Sequence, residues 1–181
     1  MKYYKLTDEK NQTNDSTQWG EGITHKAIGK GNELCSPDVI HVYDHPLKAA
    51  MFNPIHANFV NPRLWEVRVS KIVANDKRKV GVKSCTTVKE IPLPEITTEQ
   101  RVKFAIYCAL EVYHNKAYVK WANDWLTGKD RTRVAAEAAA EAAARVAWAA
   151  EAAAEAAARV ARVAAWAANI DFVKILKKAV E

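Results

Sequence analysis

The chain has 181 residues and a net charge of +6, which fits one ordinary domain or one compact module with an extension. Its 49% hydrophobic content overstates the core, since much of it is alanine in the last third, and alanine buries little of the apolar area worth roughly 25 cal/mol per Å². Residues 1–96 carry 14 Lys and Arg against 11 Asp and Glu, and residues 97–181 carry 13 against 10, so each half is +3, too thin an excess to demand nucleic acid.

In chain order, Lys2–Thr7 reads as a strand, and the Asn-, Asp-, Ser- and Thr-rich stretch from Asp8 to Thr17 as a turn-forming loop. Ile23–Ile28, bracketed by Gly20, Gly22, Gly29 and Gly31, and Val39–Tyr43 are further extended pieces. Pro46 suits the first turn of a short helix through Phe52. Leu64–Val69 alternates most cleanly, with Trp65, Val67 and Val69 facing one way. A turn at Ala74–Lys77 leads into Val80–Val82 and Ser84–Ile91, before Pro92 and Pro94 stop the sheet. Residues 1–96 are therefore expected to form a β-rich module.

Residues 97–128 read as two helices packing on that module. Thr97 and Gln100 have capping-box spacing, and Val102, Ile106, Ala109 and Tyr113 recur at helical intervals. Tyr118, Trp121, Ala122 and Trp125 mark the second helix, with Gly128 placed to end it. Trp121 and Trp125, on this apolar stripe, are expected to be core.

Residues 129–181 form an alanine-rich helical region. The string AAEAAAEAAARVA at Ala135–Ala147 returns at Ala149–Ala161, offset by 14 residues, and alanine is the best helix former. One helix over Arg131–Ala168 would be about 55 Å long; two antiparallel helices broken near the repeat junction are the alternative. A final short helix is expected over Ile170–Val180. The expected class is thus α+β: a small, mainly antiparallel sheet covered by helices, followed by an alanine-rich helical tail.

Cys35, Cys85 and Cys108 fall at unrelated spacings, and Met1–Asn14 is polar throughout. Free, mostly buried thiols in a reducing, cytoplasmic compartment are expected. No charge-free apolar run approaches the roughly 20 residues of a membrane span. His25, His41, His45 and His56 match no zinc spacing, and no nucleotide-binding glycine motif or nucleophile elbow is present. Neither metal nor cofactor is expected.

Three groups of residues remain as site candidates. His41, Tyr43 and Glu66 are the residue types with which NAD-using ADP-ribosyltransferases hold a nicotinamide riboside and stabilise an oxocarbenium-like centre. Lys77, Arg78 and Lys79 form a basic run at a predicted hairpin, with Lys83 beyond it; together with His41 and Tyr43 they are the candidate ligand-binding set. Trp148 and Trp166, 18 residues or five helical turns apart, line up on one stripe with Arg145 and Arg159. That stripe suits either packing back on the module or anchoring a partner, and the opposite alanine face suits self-association.

Several strings resemble an uncharacterised family of small phage and prophage proteins. They are Leu34-Cys35-Ser36-Pro37 with Ile40-His41, then His45-Pro46-Leu47, Asn53-Pro54-Ile55-His56-Ala57-Asn58, Asn61-Pro62-Arg63-Leu64-Trp65-Glu66-Val67 and Glu90-Ile91-Pro92-Leu93-Pro94-Glu95. The resemblance covers roughly residues 1–130 and carries no catalytic residue over. It implies a bacteriophage accessory protein acting in the bacterial host cytoplasm. Proteins of this size and origin often antagonise host defence by stoichiometric binding, to a defence protein in the manner of an anti-CRISPR inhibitor, or to a nucleotide signal as a sponge. The alternatives are an ADP-ribosyltransferase-like enzyme and, after it, a nucleic-acid-binding protein.

Overall fold

The computed structural model describes residues 1–132 and 170–181. The alanine repeat, with the long helix expected over it and the stripe of Arg145, Trp148, Arg159 and Trp166, lies outside the described residues. The chain divides into two units, Met1–Thr98 with Asp171–Glu181, and Glu99–Ile170.

The first unit is antiparallel sheet and helix, an α+β architecture. Its strands are β1 (Tyr3–Thr7), β2 (Gln12–Thr13), β3 (Thr17–Gln18), β4 (Thr24–Lys26), β5 (Ile40–Val42), β6 (Arg63–Val69), β7 (Ile72–Asn75), β8 (Val80–Val82) and β9 (Ser84–Ile91). A four-stranded sheet runs β1-β6-β9-β4, a three-stranded sheet runs β5-β8-β7, and β2 and β3 form a small hairpin. Tyr4 and Tyr43 exchange backbone hydrogen bonds of 2.7 and 2.8 Å. This bridge joins the free edge of β1 to the residue after β5, so the two larger sheets meet there.

Both sheets supply one core. Trp65, Val67 and Cys85 come from the first, Val42, Val80 and Val82 from the second, and Trp19 closes it from the loop after β3. Trp65 and Val67 face inward as their spacing predicts, with Val69 packed partly buried against them. Leu64 breaks the simple alternation by being fully buried on the other face. It pairs with Leu6 of β1, on the strand that helix α1 (Pro46–His56) packs against. The sheet is therefore covered on both sides.

Helix α1 starts where expected, with His45 Nδ1 accepting from the Leu47 N–H at 3.2 Å, but runs four residues beyond Phe52 and through Pro54. Proline near a helix end forfeits little, and Asn53 closes this one. Its Oδ1 accepts from the Phe59 N–H at 3.1 Å, and its Nδ2 donates to the Phe59 carbonyl at 2.9 Å. The last described helix is α4 (Phe172–Val180). It belongs to the first unit and packs on α1, with the Phe52 and Phe172 rings edge to face at 5.7 Å.

The second unit contains α2 (Thr98–Leu110) and α3 (Lys116–Leu126). Asn115 caps α3, its side chain accepting from the N–H groups of Ala117 and Tyr118. Gly128 follows with φ +75°, the left-handed turn expected at the helix end. Ile106, Tyr118 and Ala122 form the buried centre of this unit, and Trp121 and Trp125 pack partly buried against it. Arg131 lies 4.6 Å over the Trp125 ring and pairs with Glu99 at 3.0 Å.

Candidate functional site

Strand alternation puts His41 and Tyr43 on the same face of β5. Ile40 and Val42 turn into the core, so their neighbours point outward toward α1. Gly81 stands opposite His41 in the β5–β8 ladder. A Cβ there would lie 3.1 Å from side-chain atoms of Leu34, Val39 and Ala74. Glycine at 81 thus lets the loop between β4 and β5 close over the sheet.

That loop is pinned from two sides. The Asp38 carboxylate fills the space beside Gly29 and Gly31, accepting from the Gly31 N–H at 3.1 Å. Lys83 donates to the carbonyls of Gly29, Gly31 and Asp38. The glycine pair therefore serves the loop's own aspartate, and Lys83 is a tether.

The pinned loop carries Cys35, at φ +63°, to the edge of β5. Its backbone N–H donates to His41 Nε2 at 3.0 Å. Lys79 Nζ lies 2.8 Å from Cys35 Sγ. From α1, His56 places Nδ1 3.1 Å from the Tyr43 hydroxyl, and its ring stacks between Tyr43 and Phe52 at 5.9 and 5.2 Å. A loop, β5, the end of α1 and the β7–β8 turn thus converge on one group of Cys35, His41, Tyr43, His56 and Lys79.

The turn that supplies Lys79 is organised by Asp76. Its carboxylate accepts from the N–H groups of Arg78 and Lys79 at 3.0 and 2.8 Å, and from the Arg78 guanidinium at 2.8 Å. Burial opposes the ionised form, but these donors outweigh it and hold the Asp76 carboxyl below its ordinary range. Lys77 sits exposed at the tip with φ +65°.

Lys79 carries the positive charge of the group, and the two imidazoles beside it are neutral at neutral pH. Burial, then the charge of Lys79 and Lys5, pulls His41 down to about 4. Burial and Lys79 bring His56 to about 4 as well. The Tyr43 phenol is pushed up by burial and by Asp76. Lys5 lies within the core, its Nζ 4.6 Å over the Trp19 ring and donating to the His41 carbonyl at 3.2 Å. Burial lowers its ammonium to about 8. The carboxylate that acts on His41, Tyr43 and His56 is Asp76, and its charge is already taken by Arg78.

Of the sequence candidates, His41, Tyr43 and Lys79 come together, Arg78 turns to Asp76, and Lys77 stays outside. Glu66 does not join them. Tyr4 pairs with Glu66 on one side and bridges Tyr43 on the other, so Glu66 stands two strand spacings from Tyr43, about 9.5 Å. Its carboxylate is held by Lys2 at 3.2 Å. His56 and Cys35 join the group without being sequence candidates for it, and Lys5 lies on the core face with Trp19, where the parity of Tyr3, Lys5 and Thr7 puts it. Only the fold reveals the approach of Cys35 and His56. Among the described residues no group of three or more His, Cys, Asp or Glu side chains is arranged to hold a metal ion, and no helix is long and apolar enough to cross a membrane.

Comparison with known proteins returns nothing: no family model, curated protein or solved structure matches the chain.

Proposed function

We propose that this is a stoichiometric binding protein that takes an anionic, nucleotide-like small molecule at the His41–Tyr43–His56–Lys79 group. The observation that supports it is the charge balance there: the Lys79 ammonium stands beside two imidazoles brought in by separate elements, and the nearby carboxylate is spent on Arg78. A phosphate group would supply the counter-charge that Lys79 lacks, and a fixed ammonium beside imidazoles able to take up protons suits phosphate. Given the resemblance to phage accessory proteins, the binding would sequester a host nucleotide signal and so antagonise a defence response.

Isothermal titration calorimetry with ATP, NAD and a cyclic dinucleotide tests the reading. Binding of one of these at about one per chain, lost in Lys79→Ala and unchanged in the exposed Lys77→Ala, supports it; no heat with any of the three ends it. The transferase reading of His41, Tyr43 and Glu66 would have to act across the two strand spacings between Tyr43 and Glu66. It requires nicotinamide release from NAD that disappears in Glu66→Gln.

A further inference from the structure

We propose that Cys35 and Lys79 are an oxidation-sensitive pair that forms a sulfur–nitrogen cross-link when the protein meets a hydroperoxide. Cys35 is the exposed cysteine of the three, whereas Cys85 is buried and Cys108 half-buried. Burial pushes the Cys85 and Cys108 thiols up to about 11 and about 12, which leaves them little of the nucleophilic thiolate. Lys79 is only 8% exposed, and its Nζ is aimed at the Cys35 sulfur from 2.8 Å. Both ends are held. The Cys35 backbone is fixed by its bond to His41 and by the Lys83-tethered loop, and the Lys79 backbone is fixed by Asp76. The amine cannot easily leave, and the sulfur is open to a small oxidant.

The chemistry balances with one equivalent of peroxide. The Cys35 sulfur attacks the distal oxygen of the hydroperoxide, the O–O bond breaks, and the thiol becomes a sulfenic acid while the peroxide is reduced to an alcohol or water. Sulfenic acids condense with thiols or with backbone nitrogen, and here an amine already stands against the sulfur. Lys79 releases one proton to solvent and its Nζ attacks sulfur. The N–S bond forms, the S–O bond breaks, and the hydroxyl leaves as water with the second amine hydrogen it takes up, giving Cys35–S–NH–Lys79. A dithiol attacks the sulfur and breaks the N–S bond, which returns the amine; its second thiol then resolves the mixed disulfide, releasing the Cys35 thiol and leaving the reductant as a disulfide.

This inference stands apart from the ligand reading, because it is read on the free protein. The test is peptide mass spectrometry of the folded chain after brief treatment with stoichiometric hydrogen peroxide. The expected product joins the Cys35 and Lys79 peptides with the loss of two hydrogens, is abolished in Cys35→Ser and in Lys79→Arg, and reverts with dithiothreitol. Lys79→Arg keeps the positive charge, so an effect of charge alone would leave that variant cross-linked elsewhere. Three results overturn the proposal. They are loss of two hydrogens confined to the Cys35 peptide, Cys35 carried on to sulfinic acid with Lys79 unmodified, and Cys35 unoxidised. Circular dichroism of both variants confirms that they are folded when the products are compared.

Discussion

Lys5 sits in the core between Trp19 and the His41 carbonyl, 7% exposed, where a charge is costly. Its ammonium is lowered from 10.5 to about 8, so the unfolded chain binds more protons between those values and stability rises as pH climbs through that window. At neutral pH the folded protein carries the charge against burial. Replacing it by an apolar side chain of similar length is expected to stabilise, as seen generally for buried charges. Lys5→Met should gain about 1–2 kcal/mol in urea unfolding at pH 7 after loss of the hydrogen bond, and less at pH 10. A loss at both pH values would mean that the contacts of Lys5 outweigh its desolvation. The imidazoles give a second test. His41 and His56 are both pulled from 6.5 to about 4. Their contribution is complete above pH 6.5 and is lost as pH falls toward 4, because the unfolded chain takes up the protons first. The midpoint of thermal unfolding should fall between pH 6.5 and pH 4.5, and the slope should flatten in the double variant His41→Gln, His56→Gln.

Helix α4 is the element whose position was least readable. The expected final helix over Ile170–Val180 is found as Phe172–Val180, started by the Asp171 side chain accepting from the Lys174 N–H at 3.0 Å. That it completes the first unit, against α1, is a long-range pairing that no local pattern encodes. Leu176 is fully buried and Phe172 is 2% exposed. Leu176→Ala should cost about 2–5 kcal/mol of stability, and removal of Asp171–Glu181 should expose Phe52 and the face of α1 that α4 covers. Unchanged urea unfolding of Leu176→Ala would show that α4 does not contribute to the first unit. The strands were legible because alternation and proline act locally: β6, β8 and β9 lie within a residue of their expected limits. The site was half legible. Residue types marked His41, Tyr43 and Lys79, but Cys35 and His56 arrive through a loop closure and a helix end. Those depend on Gly81 leaving room and on α1 running past Pro54. Glu66 was grouped with His41 by residue type, and strand order separates them by the whole of β1.

As a whole the molecule is a β-rich body bearing a group of fixed imidazole, phenol and ammonium side chains, followed by a tail whose alanine repeat lies outside the described residues. Among the described residues, the histidines and the lysine whose affinity for protons is lowered, His41, His45, His56 and Lys5, all lie in the body, where Lys48 pairs with Asp44 and Arg63 with Glu90. An anion entering beside His41 and His56 would stabilise their protonated forms, so binding should take up protons. Titration calorimetry with the best nucleotide of the panel, run at pH 7.0 in two buffers of different ionisation enthalpy and repeated at pH 5.5, measures this directly. Net proton uptake, an affinity that rises as pH falls, and loss of both in Lys79→Ala are expected. An affinity that is independent of pH, or one that survives Lys79→Ala intact, would rule out anion binding at this group.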